Sequence, residues 1–227
     1  MLVLAIDSSA TASVALGRLT DGSPSVDFLT VRETEDTRSH AEVMAPFVRE
    51  TLESAHAKPS DIDAIVCGTG PGPFTGLRAG IVTARTLGFA WQVPVYGLMS
   101  LNALAEGAFT QESLKVGDEF VVATDARRRE IYSAQYLRTE GGYSLLSGPT
   151  VGPATETADL PAFGMGAGIY REVMQAVPEF AHVQPTAQNL LRAAARCGME
   201  NLSLDTTALY LRDSDAKVPA ARKKAGA

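Results

Sequence analysis

The sequence predicts a duplicated α/β fold, in which three strands followed by alternating helices and strands occur twice. Two apolar segments, residues 2–6 and 120–124, each end at an aspartate, Asp7 and Asp125. Each aspartate is followed by a second and a third strand pattern across short turns. A strand, a glycine-rich loop and a helix then follow in the first half. The two aspartates therefore occupy equivalent places in two copies of one unit.

The other elements of the first half follow from local patterns. Apolar runs rich in β-branched residues predict strands at residues 12–18, 25–30, 63–67 and 93–97. Helical periodicity predicts helices at residues 37–57, 77–91 and 98–104. Pro46 is expected to end or kink the first turns of its helix, because proline lacks the amide proton. Ser100 is the expected cap of the third helix.

The second half repeats this order. It contains predicted strands at residues 120–125, 130–137 and 143–146, a second glycine-rich strand-to-helix turn at 163–170, and an amphipathic helix at 186–198. The segment 106–117 is the expected boundary, which divides the chain into an N-terminal unit, 1–105, and a C-terminal unit, 106–227. This duplicated plan is typical of the ribonuclease H-like, actin-like ATPase fold.

Composition restricts the possible functions. The 227 residues carry a formal net charge of −6, which argues against a broad nucleic-acid-binding surface. Cys67 in a predicted buried strand and Cys197 in a predicted helix indicate neither a disulfide framework nor a zinc site. The apolar N-terminus has no basic start and reaches Asp7 at once, and no apolar run has transmembrane length. A cytoplasmic protein is therefore expected.

The stretch 68–80 contains the most unusual loop of the chain. It joins a predicted strand to a predicted helix, and its glycines and prolines fix an uncommon backbone path. It lacks the Gly-Lys-Ser/Thr ending of a P-loop and the spacing of a dinucleotide fingerprint. An ordinary tight turn is the alternative to a binding loop. The candidate loop residues are Gly70, Gly72, Phe74, Thr75 and Arg78.

Small residues recur every four positions in the helix behind this loop, and this spacing places them on one face. Glycine inside a helix costs about 0.5–1 kcal/mol relative to alanine, so close approach of another backbone is expected to offset that cost. The neighbour is either the chain's own sheet or a helix of a second subunit. This small-residue face consists of Gly76, Gly80, Ala84 and Gly88.

Three segments of the chain resemble the TsaB (YeaZ) family, the dimerisation subunits of bacterial tRNA threonylcarbamoyladenosine synthesis. They are the loop Gly68-x-Gly-Pro-Gly-x-Phe-Thr-Gly-Leu-Arg-x-Gly80, the segment Asp125-Ala-Arg-x-x-Glu-Ile-Tyr132 and the closing Tyr210-Leu-Arg212. Pro73 stands where the family usually has serine, and Ala208 where it usually has proline. The resemblance covers nearly the whole chain.

The resemblance implies a non-catalytic subunit that pairs with a TsaD-like catalytic subunit, works with a TsaE-like ATPase and meets tRNA through that complex. It also implies a homodimer when the chain is alone and no cofactor of its own, with ATP or ADP at the complex interface at most. The implied partner interface combines the two helices of the N-terminal half. It consists of His40, Met44, Phe47, Gly76, Gly80, Ala84 and Gly88.

Four residues are candidates for contacts with phosphate, nucleotide or tRNA. Asp7 and Ser9 follow the first strand, as in the phosphate-binding hairpin of actin-like ATPases, although both are equally able to bond turn amides. Asp125 and Arg127 belong to the second family-like segment. Arginines in a turn suit phosphate or RNA, and a solvated turn with Arg–Glu pairs is the alternative. We favour the solvated turn for Arg128 and Arg129.

Other chemistry is not indicated. His40 has Met44 four positions later, where related catalytic subunits carry a second histidine, so no metal site is expected. A free-standing kinase or ATPase needs phosphate-handling groups that are missing, and a peptidase needs clustered ligands or a nucleophile–base pair. The basic residues of the tail, expected to be flexible and solvated, are Lys217, Arg222, Lys223 and Lys224.

Overall fold

Two five-stranded sheets form the framework of residues 1–34, 40–111 and 114–212, the part of the chain described by a computed structural model. The first sheet contains β1 (Leu2–Asp7), β2 (Ser13–Leu19), β3 (Val26–Glu33), β4 (Ala64–Gly68) and β5 (Val95–Leu98). The second contains β6 (Glu119–Asp125), β7 (Ile131–Arg138), β8 (Tyr143–Gly152), β9 (Pro161–Phe163) and β10 (Gln175–Ala176). The helices are α1 (His40–Ser54), α2 (Phe74–Trp91), α3 (Leu101–Phe109), α4 (Met165–Ile169) and α5 (Ala187–Cys197).

Both sheets have the same topology. The first has the strand order β3-β2-β1-β4-β5, and the second has β8-β7-β6-β9-β10 when it is read in the same sense. In each sheet the first three strands are antiparallel neighbours, whereas the fourth and fifth run parallel to the first. The predicted duplication and the α/β fold class are therefore confirmed. Asp7 and Asp125 end corresponding strands.

The first sheet is covered on both faces, and its central strand is enclosed. Leu4 and Ile6 of β1 pack in the core beneath α1 and α2. Val3 and Ala5, which alternate with them, pack in the core formed with α5. All four side chains are fully buried. The carboxyl end of β1 therefore brings Asp7 into the interior rather than to an open edge.

α3 and α5 lie between the two sheets. Leu190 of α5 belongs to the core of the first sheet, while Leu101 and Leu104 of α3 belong to the core of the second. A bidentate ion pair joins the helices, in which Arg196 donates to the two carboxylate oxygens of Glu106 at 2.6 and 2.8 Å. The boundary expected between residues 105 and 106 falls inside α3, whereas most of the segment 106–117 lies between α3 and β6.

Two local predictions need correction. Pro46 lies inside α1 and does not end its first turns, while the kink expected as the alternative stays a prediction. Proline has no amide proton to donate to the carbonyl of Glu42, four residues earlier. Glu42 is exposed, so water can bond to this carbonyl instead. α2 begins at Phe74, so that residue and Thr75 are helical and not part of the loop.

The remaining predictions about chain organisation fall partly outside the structure. The start of the helix expected at 37–57 and the basic tail, Lys217, Arg222, Lys223 and Lys224, lie outside the described residues. Within the described ranges, no helix combines the length and apolarity that a membrane span needs.

Candidate functional site

Asp7 is held at the end of β1 by hydrogen bonds from the chain itself. Its Oδ1 accepts from the amide and the hydroxyl of Ser9, at 2.9 and 2.7 Å, and its Oδ2 accepts from the Ser100 hydroxyl at 2.6 Å. The Ser100 Oγ in turn accepts from the amide of Gly70 at 3.0 Å. Burial raises the pKa of the Asp7 carboxyl group, although the bonds from Ser100 and Ser9 oppose this. The carboxylate therefore anchors three chain segments and is not presented to a ligand.

Ser100 has a different role from the expected one. It precedes α3 with helical backbone angles, φ −61° and ψ −27°, and its side chain caps no helical amide. The hydroxyl instead donates to Asp7 and accepts from the amide of Gly70. Sequence patterns missed this contact, since Ser100 lies 93 positions from Asp7 and carries only the signal of a polar residue before a helix.

The glycine loop is shaped by the β1–β2 turn of the same chain. A Cβ atom at Gly72 would collide with the backbone carbonyl of Ser9, so the two backbones approach as only glycine allows. Gly70 has φ +95°, a conformation that residues with side chains rarely adopt. Both glycines are buried, whereas the neighbouring candidates Phe74 and Arg78 are exposed. The two glycines therefore allow the loop to pack closely on the rest of the chain. The candidates that remain accessible, Phe74 and Arg78, lie at the start of α2.

The small-residue face of α2 packs on the chain's own sheet. The Ser8 hydroxyl accepts from the amide of Gly80 at 3.0 Å and donates to the carbonyl of Gly76 at 2.8 Å. Gly88 lies against Val95 of β5, and Ala84 is fully buried. The spacing allowed either the chain's own sheet or a helix of a second subunit as the neighbour of this face. In the structure the neighbour is the sheet. The prediction that this face docks a partner is wrong, because the face is not accessible.

The interface residues expected on α1 also lie inward. Met44 is 1% exposed within the core beneath the first sheet, and His40 is 5% exposed. His40 Nε2 donates to the carbonyl of Ala10 at 3.1 Å. Phe47 is half-buried against the same core. Across residues 1–34, 40–111 and 114–212, no three His, Cys, Asp or Glu side chains cluster as a metal site would require.

The opposite face of α2 carries exposed apolar side chains. Phe74, Val82 and Phe89 are 40%, 60% and 82% exposed, and their spacing places them on one side of the helix. Arg78 and Arg85 lie between them and are exposed as well. We term these five residues the α2 outer face. Large apolar side chains exposed in a row, with polar residues beside them, are typical of a protein–protein contact.

A separate apolar groove lies between α1 and α2, away from the α2 outer face. It has a volume of about 410 Å3 and is lined by Val48 and Leu52 of α1 and by Leu87 and Trp91 of α2, among others. Because it lies between two packed helices, the groove is already formed in the isolated chain.

Residues 203–212 form a C-terminal strap across the glycine loop. The carbonyl of Ser203 accepts from Gly97 of β5 at 2.8 Å, and the amide of Leu209 donates to the carbonyl of Thr69 at 2.8 Å. Near its end, the Tyr210 ring stacks on that of Phe74, with centroids 4.4 Å apart. The strap therefore runs from the edge of the first sheet over the loop to the start of α2.

The end of the strap reaches the second sheet. The Arg212 guanidinium donates to the carbonyl of Ala126 at 2.8 Å and forms an ion pair with Glu130. Tyr210, two residues earlier, accepts from Arg78 Nε at 3.0 Å. The strap thus spans the gap between the glycine loop and the β6–β7 turn.

That turn contains three consecutive arginines in the left-handed backbone region. The φ angles of Arg127, Arg128 and Arg129 are +62°, +55° and +65°, and all three residues are exposed. This conformation costs a residue with a Cβ atom about 1–2 kcal/mol. Asp125 accepts from the amide of Arg127 at 2.8 Å and forms an ion pair with its guanidinium at 3.3 Å. We term residues 125–130 the arginine hairpin.

Comparison with known proteins identifies the family. The family model described as TsaD, tRNA N6-adenosine threonylcarbamoyltransferase, matches residues 33–189. A Pseudomonas aeruginosa crystal structure, described as an uncharacterized protein with similarity to peptidase YEAZ, superposes with a TM-score of 0.76 and 31% identity. The match covers 93% of this chain and 99% of that one. The chain belongs to the TsaB (YeaZ) family.

Two further relatives illustrate the range of similarity. An uncharacterized protein of Mycobacterium tuberculosis strain H37Rv is 38% identical over 218 residues, which cover 95% of this chain and 93% of the relative. The Escherichia coli K12 protein TsaB, named as a tRNA threonylcarbamoyladenosine biosynthesis protein, is 35% identical over 143 residues. That match covers 63% of this chain and 58% of the E. coli protein.

The three segments that resemble the TsaB family form one connected region. The first comprises the glycine loop and the start of α2, the second is the arginine hairpin, and the third is the end of the strap. The Phe74–Tyr210 stack joins the first to the third, and the Glu130–Arg212 pair joins the third to the second. Sequence reasoning found the segments but not these contacts, since nothing in a linear pattern relates residues so far apart.

Proposed function

We propose that this TsaB-family chain is a non-catalytic partner subunit of the complex that synthesises tRNA N6-threonylcarbamoyladenosine. A TsaD-like catalytic subunit would need it to transfer the threonylcarbamoyl group to the adenosine 3′ of the anticodon. The family model and the name of the E. coli relative support the pathway. The α2 outer face is the observation that carries the partner role.

The α2 outer face is the proposed docking surface for the catalytic subunit. Phe89 and Val82 supply exposed apolar area, while Arg78 and Arg85 supply charge at its edge. Aromatic residues and arginine are the side chains that dominate protein–protein contacts. When the chain is alone, the same patch would form a homodimer, since a two-fold contact uses one surface on both subunits. Homodimer and heterodimer would therefore exclude each other.

The proposed lack of catalysis rests on how the reactive groups are engaged. A general base or nucleophile must reach its substrate. Asp7 is fully buried and accepts three hydrogen bonds from the chain. The Cys67 thiol is fully buried too, and burial raises its pKa. Neither group is available for a reaction, which also disfavours a kinase or a peptidase.

The remaining partners belong to the complex as a whole. The strap spans the gap between the glycine loop and the arginine hairpin and so leaves little room for a nucleotide there. ATP or ADP would therefore bind at the interface with the catalytic subunit. A TsaE-like ATPase would act on that assembled interface, and tRNA would be bound by the complex.

A reconstituted transfer reaction tests this function. Unmodified tRNA and threonylcarbamoyl adenylate are mixed with the chain, with a purified TsaD-like subunit, or with both, and modified adenosine is quantified. We expect product only when both proteins are present. Product formed by the chain alone would disprove the non-catalytic role, and full activity of the catalytic subunit without the chain would disprove the partner role. ATP turnover by the isolated chain would instead support a kinase.

A further inference from the structure

We propose that two hydroxyl groups of the C-terminal strap position the arginines of the α2 outer face for carboxylates of the catalytic subunit. The hydroxyls belong to Thr206 and Tyr210, and the arginines are Arg85 and Arg78. The inference rests on the proposed function, which supplies the partner, and adds the residues that decide which partner surface fits. Thr206 and Tyr210 act through the arginines and are therefore positioning residues.

Each arginine of the α2 outer face is held by one hydroxyl of the strap. Arg85 Nε donates to Thr206 Oγ1 at 2.6 Å, and Arg78 Nε donates to the Tyr210 hydroxyl oxygen at 3.0 Å. The later strap residue pairs with the earlier helix residue, so the strap runs antiparallel to α2. The two spacings are compatible, because seven helical residues rise about 10.5 Å and four residues of extended chain reach about 13 Å.

The strap backbone is fixed close to both hydroxyls. The amide of Gly97 in β5 donates to the strap at 2.8 Å, and a Cβ atom at Gly97 would collide with the carbonyl of Asp205. The amide of Leu209 donates to the glycine loop at 2.8 Å. These contacts lie directly before Thr206 and directly before Tyr210. A firmly seated segment thus orders two long side chains before a partner arrives, which lowers the entropy cost of binding.

The bonds to the strap leave the outer end of each guanidinium group for a partner. In the part of the chain that the structure describes, neither Arg78 nor Arg85 forms an ion pair. The Arg78 guanidinium also lies 3.7 Å from the centroid of the Phe74 ring, which restricts its plane. Bonds from Thr207 and, more weakly, the charge of Arg85 lower the pKa of the Asp205 carboxyl group. The terminal nitrogens of a guanidinium group match a carboxylate in a bidentate manner.

The strap and the α2 outer face form one continuous surface. A cavity of about 440 Å3 lies between them, and its lining includes Arg85 and Phe89 of α2 and Leu204 and Thr206 of the strap. Phe89 is 82% exposed and Leu204 is 67% exposed. An apolar side chain of a partner fits between these two residues, while carboxylates meet the arginines beside it.

Charge complementarity favours a carboxylate-bearing partner over a second copy of this chain. α2 contains neither aspartate nor glutamate, so a two-fold pairing of α2 with α2 brings no carboxylate from that helix to Arg78 or Arg85. Burying the two charges without partners would oppose such a contact. Two carboxylates about 10 Å apart, the rise of seven helical residues, would satisfy both arginines. Under the proposed function, the catalytic subunit supplies them.

A variant without the two hydroxyls tests the positioning role. Thr206→Val with Tyr210→Phe keeps the shape of both side chains and the stack of Tyr210 on Phe74. Binding to the purified TsaD-like subunit is measured by isothermal titration calorimetry at low salt and at about 1 M KCl, where the screening length is about 3 Å. We expect the affinity to fall about three- to tenfold at low salt and by much less at high salt. A loss of apolar packing would not shrink in this way.

A double-mutant cycle shows whether the hydroxyls act through the arginines. In an Arg78→Gln, Arg85→Gln background, removing the hydroxyls should cause no further loss of affinity. Thr206→Ser keeps a hydroxyl group and should bind like the wild type. Thr155→Val with Tyr170→Phe removes two hydroxyls from the second half of the chain and is the matched control, which should also bind normally.

Hydrogen exchange shows whether the strap of the variant stays in place. The amides of Gly97 and Leu209 are bonded between the strap and the first half, so their protection reports its seating. We expect protection equal to that of the wild type. If the double variant loses it, Tyr210→Phe alone, combined with Arg78→Gln in the same cycle, gives the answer, because it leaves Thr206 and its bond to α2 intact.

Several results would overturn the proposal. They are wild-type affinity in the variant without hydroxyls, an equal loss at low and high salt, or a further loss in the background without the arginines. Weaker self-association with unchanged binding to the TsaD-like subunit would assign the hydroxyls to a contact between two copies. If Val82→Glu with Phe89→Glu abolishes binding while the variant without hydroxyls binds normally, docking stands and the positioning role fails. A wild-type chain that does not bind the TsaD-like subunit would contradict the proposed function itself.

Discussion

The Ser100 hydroxyl donates to the Asp7 carboxylate across 2.6 Å, although the two residues lie 93 positions apart in the chain. The same hydroxyl accepts from the amide of Gly70. One buried carboxylate thereby fixes the β1–β2 turn, the glycine loop and the start of α3 relative to one another. The helix α2, whose outer face is the proposed docking surface, follows directly from this loop, so the network sets where that face lies.

Ser100→Ala should destabilise the fold by about 1–3 kcal/mol, because it leaves a buried carboxylate oxygen and the Gly70 amide without this partner. Urea unfolding monitored by circular dichroism measures the change. Ser60→Ala, at an exposed position, serves as the control and should unfold like the wild type. Equal midpoints for the two variants would show that the network contributes nothing measurable.

Asp7→Asn should change how stability depends on pH. Burial raises the pKa of Asp7 above its ordinary value of 3.8, so the folded state disfavours the ionised form. That contribution to stability is present below pH 3.8 and is lost as the pH rises through the folded value. The free energy of unfolding of the wild type, relative to Asp7→Asn, should therefore decrease from acid to neutral pH. Parallel stability curves for the two proteins would contradict this, and Asp21→Asn at an exposed turn is the control.

The repeated order of strands and helices could be predicted from the sequence, whereas the contacts between residues far apart in the chain could not. Asp7 and Asp125 were placed correctly because each ends an apolar strand pattern, and local alternation determines that signal. The four-residue spacing correctly put Gly76 and Gly80 on one face, yet spacing is the same whether a sheet or a second subunit covers it. The apolar outer face, with Val82 and Phe89, was visible in the same helix at helical spacing and was overlooked. Contacts such as those of Ser100 depend on the assembled fold.

Gly80→Ala should destabilise the protein despite its higher helix propensity. Alanine favours the helix by about 0.5–1 kcal/mol, but its methyl group would collide with the Ser8 hydroxyl. We expect a net loss of about 1–3 kcal/mol, as for other overpacked cores. In a Ser8→Gly background the same substitution should be far less harmful, which thermal melts of the double-mutant cycle would show. A melting temperature of Gly80→Ala equal to that of the wild type would show that the contact with Ser8 does not restrict the side chain at this position.

Glu106→Ala should be strongly destabilising, because it leaves Arg196 without its bidentate partner between α3 and α5. Removing one member of a fully buried ion pair costs about 3–5 kcal/mol. Because the Arg196 side chain is 19% exposed and keeps its bond to the Gly141 carbonyl, we expect a smaller loss of about 1–3 kcal/mol. The exposed pair between Arg49 and Glu53 offers a matched control, since Glu53→Ala should change stability by less than about 0.5 kcal/mol. Chemical denaturation of both variants compares them directly. A small effect at Glu106 would mean that apolar packing alone joins the two halves.

The affinity of a Val82→Glu, Phe89→Glu variant for the TsaD-like subunit tests the partner role most directly. Both side chains are exposed, so the variant should melt like the wild type, yet each charge would enter the proposed contact. Val173→Glu, at another exposed apolar residue, is the control and should bind normally. Isothermal titration calorimetry should show binding to the catalytic subunit weakened by on the order of a hundredfold. A folded double variant that binds with wild-type affinity would contradict docking through the α2 outer face.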